Sequence, residues 1–204
     1  MDVSKKIAKH LLQIKAIKLN PNNPFTWASG IESPIYCDNR LVLSFPDVRK
    51  LVKKELAILA KQFGAFDAVS GVATAGIAHG MLLADEVGKP FSYVRSKPKG
   101  HGRQNLVEGL VKSGQKVLVV EDLISTGGSS VKAVEALRER GVEVVGVIAI
   151  FTYGFQKAID TFSDANCLFK TLSNYDDLIE TAVDLEYVSE SDTDMLKKWR
   201  EQFV

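Results

Sequence analysis

Residues 117–129, VLVVEDLISTGGS, run four apolar residues into two adjacent carboxylates, Glu121 and Asp122, and then into hydroxyls and glycines. The hydroxyls and backbone amides from Ser125 to Ser129, ahead of a helix, can donate hydrogen bonds to a phosphate. The helix dipole adds about 0.3–1 kcal/mol to such binding. Two carboxylates would repel that phosphate unless they face another part of the ligand. A sugar phosphate meets both demands, with acceptors for the ribose hydroxyls and donors for the phosphate. A nucleotide-binding turn and an ordinary strand-to-helix turn are the alternatives for the cradle taken alone.

Two further stretches have unusual chemistry. Residues 71–80, GVATAGIAHG, place small residues ahead of a helix, so backbone N–H groups can approach an anion. They do not form a Walker loop, because Ile77 and Ala78 follow Gly76. Close helix–strand packing explains these glycines as well as phosphate binding does. Residues 95–105, RSKPKGHGRQN, hold Arg95, Lys97, Lys99, Arg103 and His101 with no carboxylate, which suits a polyanion. A solvated basic loop is the alternative.

The elements that would position these stretches alternate. Residues 66–72, 90–95, 116–122 and 142–151 read as strands, and 76–88 and 128–141 as helices, so a parallel sheet with right-handed crossovers is expected. Its strands' carboxyl ends share one edge, which brings the three stretches to one crevice. Val3, Ile7, Leu11, Leu12, Ile14 and Ile17 recur at helical spacing, and a second helix is expected after Pro46. Residues 24–40, PFTWASGIESPIYCDNR, are irregular and aromatic and do not read as core. Residues 166–172 suggest a strand, 175–183 a short helix and 190–202 an amphipathic one.

With 204 residues, 46% of them hydrophobic, the chain can bury a real core, which excludes disorder. A formal net charge of +1 argues against a general nucleic-acid binder. Cys37 and Cys167 lack partners at disulfide-framework or zinc spacing. The N-terminus has no continuous apolar h-region and no stretch approaches the roughly 18 apolar residues of a membrane span, so a cytoplasmic protein without membrane or nucleic-acid partners is expected.

VLVVEDLISTGGS resembles the phosphoribosyl pyrophosphate (PRPP) signature of type I phosphoribosyltransferases. PFTWASGIESPIYCDNR is similar to the N-terminal segment of the orotate phosphoribosyltransferases, and YVRSKPKGHG to their catalytic loop. The resemblance implies the type I phosphoribosyltransferase fold, an α/β fold with a mostly parallel central sheet. One domain would span residues 1–204, with 1–45 giving the N-terminal helix and base-binding hood and 66–155 the PRPP-binding core. The activity implied joins orotate to PRPP with Mg2+, releasing pyrophosphate and giving orotidine 5′-monophosphate on the route to UMP, in a homodimer that shares loop residues between subunits.

The resemblance also implies roles. Glu121 and Asp122 would hold the ribose hydroxyls, and Leu123, Ile124, Ser125, Thr126, Gly127, Gly128 and Ser129 would wrap the 5′-phosphate, with Ser125 also reaching orotate. Arg95, Lys99 and His101 would meet the pyrophosphate, and the turn at residues 73–76 would add backbone contacts. Lys99, His101 and Asp122 are the expected catalytic residues. No residue is assigned as a metal ligand, because Mg2+ keeps several waters and binds substrate oxygens. The chain departs from the family pattern at Ala28, Ala75 and Thr152, where many members carry cations, and Ser96 replaces a further loop lysine. Arg40 or Lys97 is expected to compensate at the orotate carboxylate. A transferase for a purine or uracil, and a non-catalytic PRPP-sensing or RNA-binding regulator, are the competing functions.

Overall fold

The computed structural model describes residues 2–27, 30–97 and 106–202. Ala28, Ser29, Lys99, His101 and Arg103 therefore lie outside the described residues. Helix α1 (Val3–Gln13) leads into the short strands β1 (Ile17–Leu19), β2 (Phe25–Thr26), β3 (Glu32–Ser33) and β4 (Ile35–Cys37). After a 3-10 turn at Asn39–Ser44 come α2 (Pro46–Ala60), β5 (Ala68–Val72), α3 (Ala75–Val87), β6 (Phe91–Val94) and β7 (Val107–Glu108). The chain continues through β8 (Lys116–Ile124), α4 (Gly128–Arg138), β9 (Glu143–Thr152), α5 (Gln156–Asp164), β10 (Phe169–Asn174), α6 (Tyr175–Asp184) and α7 (Thr193–Glu201).

Six strands form the central sheet in the order β10-β9-β8-β5-β6-β7, parallel except for β7, which runs against β6. The chain builds outward from β5 to β6, then returns to place β8 on the other side of β5. Such a reversal opens a crevice beyond the strands' carboxyl ends.

Both faces of the sheet are covered, which is why β8 and β9 are nearly continuous in apolar residues. Along β8, Val117 and Val119 pack with Val134, Leu137 and Phe162 of α4 and α5, while Leu118 and Val120 pack with the α1, α2, α3 and α6 side. β9 divides likewise, Val147 and Ala149 against Ile148 and Ile150.

Several expectations need correction. The first helix stops at Gln13; Lys15 takes φ +58, and Ile17 pairs with Cys37 instead of extending the helical stripe. Residues 24–40 contribute to the core after all: Ser33, Ile35 and Asn39 are fully buried, and the indole Nε1 of Trp27 donates to the Ile35 carbonyl at 3.1 Å. Their strands are two or three residues long, too short for any periodicity to register. The end of the chain is a 3-10 turn, Glu190–Asp192, followed by α7, instead of one helix. α5 and β7 have no counterpart in the reading from sequence.

Helix α3 packs backbone to backbone on the sheet. A Cβ on Gly71 would lie 2.6 Å from the Gly76 carbonyl oxygen, and one on Gly76 would lie 2.5 Å from the Val120 oxygen. Gly76→Ala is therefore expected to cost on the order of 1–3 kcal/mol through overpacking, seen as a lowered thermal midpoint. An unchanged midpoint would show that α3 can retreat freely.

Candidate active site

The carboxyl ends of β5, β8 and β9 and the segment before α2 surround two adjoining cavities. One, of about 330 Å³, is lined by Cys37, Asp38, Arg40, Ala73, Thr74, Ala75, Glu121, Asp122, Leu123 and Ser129. The other, of about 310 Å³, is lined by Thr26, Trp27, Tyr36, Cys37, Leu123, Ser125 and Tyr153. Cys37 and Leu123 border both, so the polar cavity and the aromatic one meet at a shared wall.

The two acids stand on β8, as the strand read over residues 116–122 has them, and the strand runs two residues further to Ile124, with Glu121 paired to Ala149 of β9. Successive strand residues point to opposite faces. Glu121 lies beside Gly76 and near Ser130 of α4, and its carboxyl also meets that of Asp122; the Asp122 carboxylate lies near Cys37 and His79, and its main-chain carbonyl accepts from Asn39 Nδ2. Glu121 is only 5% exposed, and its Oε1 accepts from the Asp122 N–H at 3.0 Å. Burial pushes its carboxyl well above the ordinary range, and the neighbouring Asp122 charge pushes the same way. Asp122 is half-buried and opens onto the polar cavity.

Past Ile124 the chain turns into α4 through Gly127, which takes φ +80, and no side chain caps the helix. A Cβ on Gly127 would also meet the Phe162 ring at 3.0 Å. The first N–H groups of α4 are thus left for another acceptor. Ser129 opens onto the polar cavity, Ser125 onto the aromatic one, and Thr126 is exposed. The turn from β5 supplies Ala73, Thr74 and Ala75 to the polar cavity, and α3 begins there with no side-chain cap either. Packing explains Gly71 and Gly76, while Ala73, Thr74 and Ala75 are the residues that line the cavity.

Arg95 pairs with Glu108 at 3.3 Å, and its N–H donates to the Leu106 carbonyl at 2.8 Å. Residues 96–105 therefore leave from a hydrogen-bonded neck formed by β6 and β7. A cavity of about 400 Å³ beside that neck holds Arg95, Ser96, Ala73 and Ser129 together with Lys132.

Thr152, at a position where a cation was expected by resemblance, is buried and ties the strand ends: its Oγ1 donates to the Ile124 carbonyl at 3.0 Å and accepts from Gly154 N–H at 3.1 Å. The Arg40 guanidinium clasps both oxygens of Asp38 at 2.6 and 2.9 Å and lines the polar cavity, not the aromatic one. Lys97 is exposed and lines neither of the two cavities.

Reading the sequence did not single out Tyr153, Trp27 and Tyr36, which line the aromatic cavity. Tyr153 stacks on Phe155 at 5.2 Å and meets Trp27 at 5.5 Å, and burial raises its phenol far above the usual value. Its position just past the end of β9, on the edge where the other turns gather, was the available signal.

The phosphoribosyl transferase domain family matches residues 42–190, so the chain is of the phosphoribosyltransferase class, in keeping with a polar cavity at the switch point of an α/β sheet. Orotate phosphoribosyltransferases from Listeria monocytogenes and Porphyromonas gingivalis are 55% and 53% identical to it, over 98% and 97% of this chain and 96% and 95% of theirs. The crystal structure of orotate phosphoribosyltransferase from Aeropyrum pernix matches 90% of this chain and 99% of its own with a TM-score of 0.77 at 27% identity. The chain belongs to the orotate phosphoribosyltransferase family.

Proposed function

We propose that the chain transfers the 5-phosphoribosyl group of PRPP to orotate, releasing pyrophosphate and forming orotidine 5′-monophosphate for UMP synthesis. The observation that carries this reading is the junction of the two cavities. An acid-lined polar space and an aromatic slot share Cys37 and Leu123, so a sugar and a flat base held in them would meet at that wall.

Asp122 and Glu121 accept from the ribose hydroxyls, and the uncapped start of α4 with Ser125, Thr126 and Ser129 donates to the 5′-phosphate. Backbone at Ala73, Thr74 and Ala75, with Arg95, Lys99 and His101, takes the pyrophosphate. Trp27, Tyr36 and Tyr153 hold the base by its faces, and Ser125 gives it a polar contact. Displacement at the anomeric carbon passes through a cation-like sugar, so the acids gain interaction energy as positive charge grows there.

Among the described residues no group of three or more His, Cys, Asp or Glu side chains could hold a metal ion. Asp122, which opens onto the polar cavity, would face Mg2+ brought in by PRPP and its waters, with no direct protein ligand needed. The ion would supply neutralising charge for the departing pyrophosphate.

Residues 1–204 act as one domain in this reading, with 1–45 as hood and 66–155 as PRPP-binding core. Two subunits exchange loop residues in a closed dimer, as family resemblance implies. The cytoplasm is the proposed location, which suits two free cysteines. Among the described residues no helix is long and apolar enough to cross a membrane.

Adding PRPP and Mg2+ to the chain with orotate should deplete the orotate ultraviolet absorbance and release pyrophosphate, while adenine, guanine and uracil should not. Turnover of one of those bases in place of orotate would overturn the reading. Absence of pyrophosphate release with every base would favour the regulatory alternative.

A further inference from the structure

Asp122 rests on a buried polar layer that touches no substrate in the mechanism above. Asn39, fully buried at the start of the 3-10 turn, donates from Nδ2 to the Asp122 carbonyl at 2.8 Å. His79, 1% exposed on α3, lies against the backbone of Asn39 and within the field of the Asp122 carboxylate. Neither residue lines the polar or the aromatic cavity. Asn39 Oδ1 and His79 Nε2 have no hydrogen-bond partner among the described residues. Unpaired polar atoms in a core are costly, so leucine-sized apolar residues would serve plain packing better here.

Their placement suggests what the polarity does. Asn39 follows Cys37 and Asp38, which wall the polar cavity, and its bond to residue 122 spans 83 positions of sequence. The link therefore fastens the N-terminal wall of the site to the strand that carries the acid, with the buried imidazole of His79 on α3 against the Asn39 backbone.

We propose that His79 and Asn39 are positioning residues that hold the backbone of Asp122, and with it the carboxylate, in the place needed at the ribose. This rests on the assignment of Asp122 to the ribose hydroxyls. A carboxylate that swings loses most where the sugar becomes cationic, because that interaction is strongest in the transition state. The loss should fall on kcat more than on the PRPP KM.

The test compares His79→Leu, His79→Gln, Asn39→Ala and Asp122→Asn in the full chain, with kcat, PRPP KM and thermal midpoint measured for each. His79→Leu should lower kcat by at least about tenfold with a much smaller change in KM and a midpoint no lower than that of the unsubstituted chain. His79→Gln, which keeps a polar group, should recover most of the rate. The combination of His79→Leu with Asn39→Ala should be little worse than the poorer single variant, because both loosen one link.

A folded His79→Leu with undiminished kcat overturns the proposal, as does equal damage from Leu and Gln. Should His79→Leu fail to fold, Asn39→Ala and the milder Asn39→Ser decide in its place, and unchanged kcat in both overturns it. Asp122→Asn separates the two levels. If it leaves kcat intact, the ribose assignment of Asp122 fails; if it lowers kcat while the His79 and Asn39 variants do not, only the positioning role fails.

Discussion

Lys99→Ala and His101→Ala are each expected to lower turnover by about 10²–10³-fold while changing the PRPP KM far less. The leaving pyrophosphate gains negative charge on the oxygen that joined it to the anomeric carbon only as that carbon–oxygen bond breaks. A lysine ammonium and an imidazolium that reach that oxygen then add an interaction absent from the ground state. The described residues support this from the base of the loop. The 95-to-106 hydrogen bond and the β6–β7 pairing of Tyr93 with Glu108 hold the two ends of residues 96–105 together beside Ala73 and Ser129. Steady-state kinetics with PRPP varied at saturating orotate checks the split. A matching loss in kcat/KM carried wholly by KM would mean that the loop only tethers substrate.

How much of this was legible in the sequence depended on how each element announces itself. β8 and α4 were legible because a strand buried on both faces must be apolar throughout, and a turn rich in glycine and hydroxyls must follow to start a helix. The acid pair was legible as chemistry and as the end of a strand, but not in how far that strand continues beyond it. Pairing of Leu123 with Phe151 and of Ile124 with Thr152 carries β8 past the acids, and burial leaves Glu121 almost enclosed while Asp122 opens onto the polar cavity. Nothing local to residues 117–129 reveals how far β9 extends alongside.

The segment between α1 and α2 was the harder part. Its strands β2 and β3 are two residues each, held by Trp27, which donates to Ile35, and by Trp199, whose Nε1 donates to the Glu32 carbonyl at 3.1 Å across 167 positions. Contacts of that reach have no sequence period. The missed α5 shows the opposite failure. Ala158 and Phe162 are its buried residues, one pair at i and i+4, too few to stand out as a stripe. Nothing in the sequence sets Asn39 and His79 apart, and only the fold brings them next to Asp122.

Glu121→Gln is expected to raise thermal stability at neutral pH and to lower kcat by about tenfold or more, two effects of one cause. The Glu121 carboxyl is held above its ordinary range by burial and by Asp122, so its charged form is strained in the folded chain. Its favourable contribution to stability is fully present below the unfolded carboxylate value and is lost as pH rises toward the raised folded value. Glutamine keeps the shape and an oxygen able to accept the Asp122 N–H, but never bears the charge. The thermal midpoint of Glu121→Gln should therefore draw away from that of the unsubstituted chain as pH rises out of the ordinary carboxylate range, and the gap should level off above the folded value. The rate should fall because an amide offers the cation-like ribose no full negative charge. Melting curves across pH beside kcat at one pH test both halves. A pH-independent gap would show that burial does not strain this acid, and an undiminished kcat would leave the ribose to Asp122 alone.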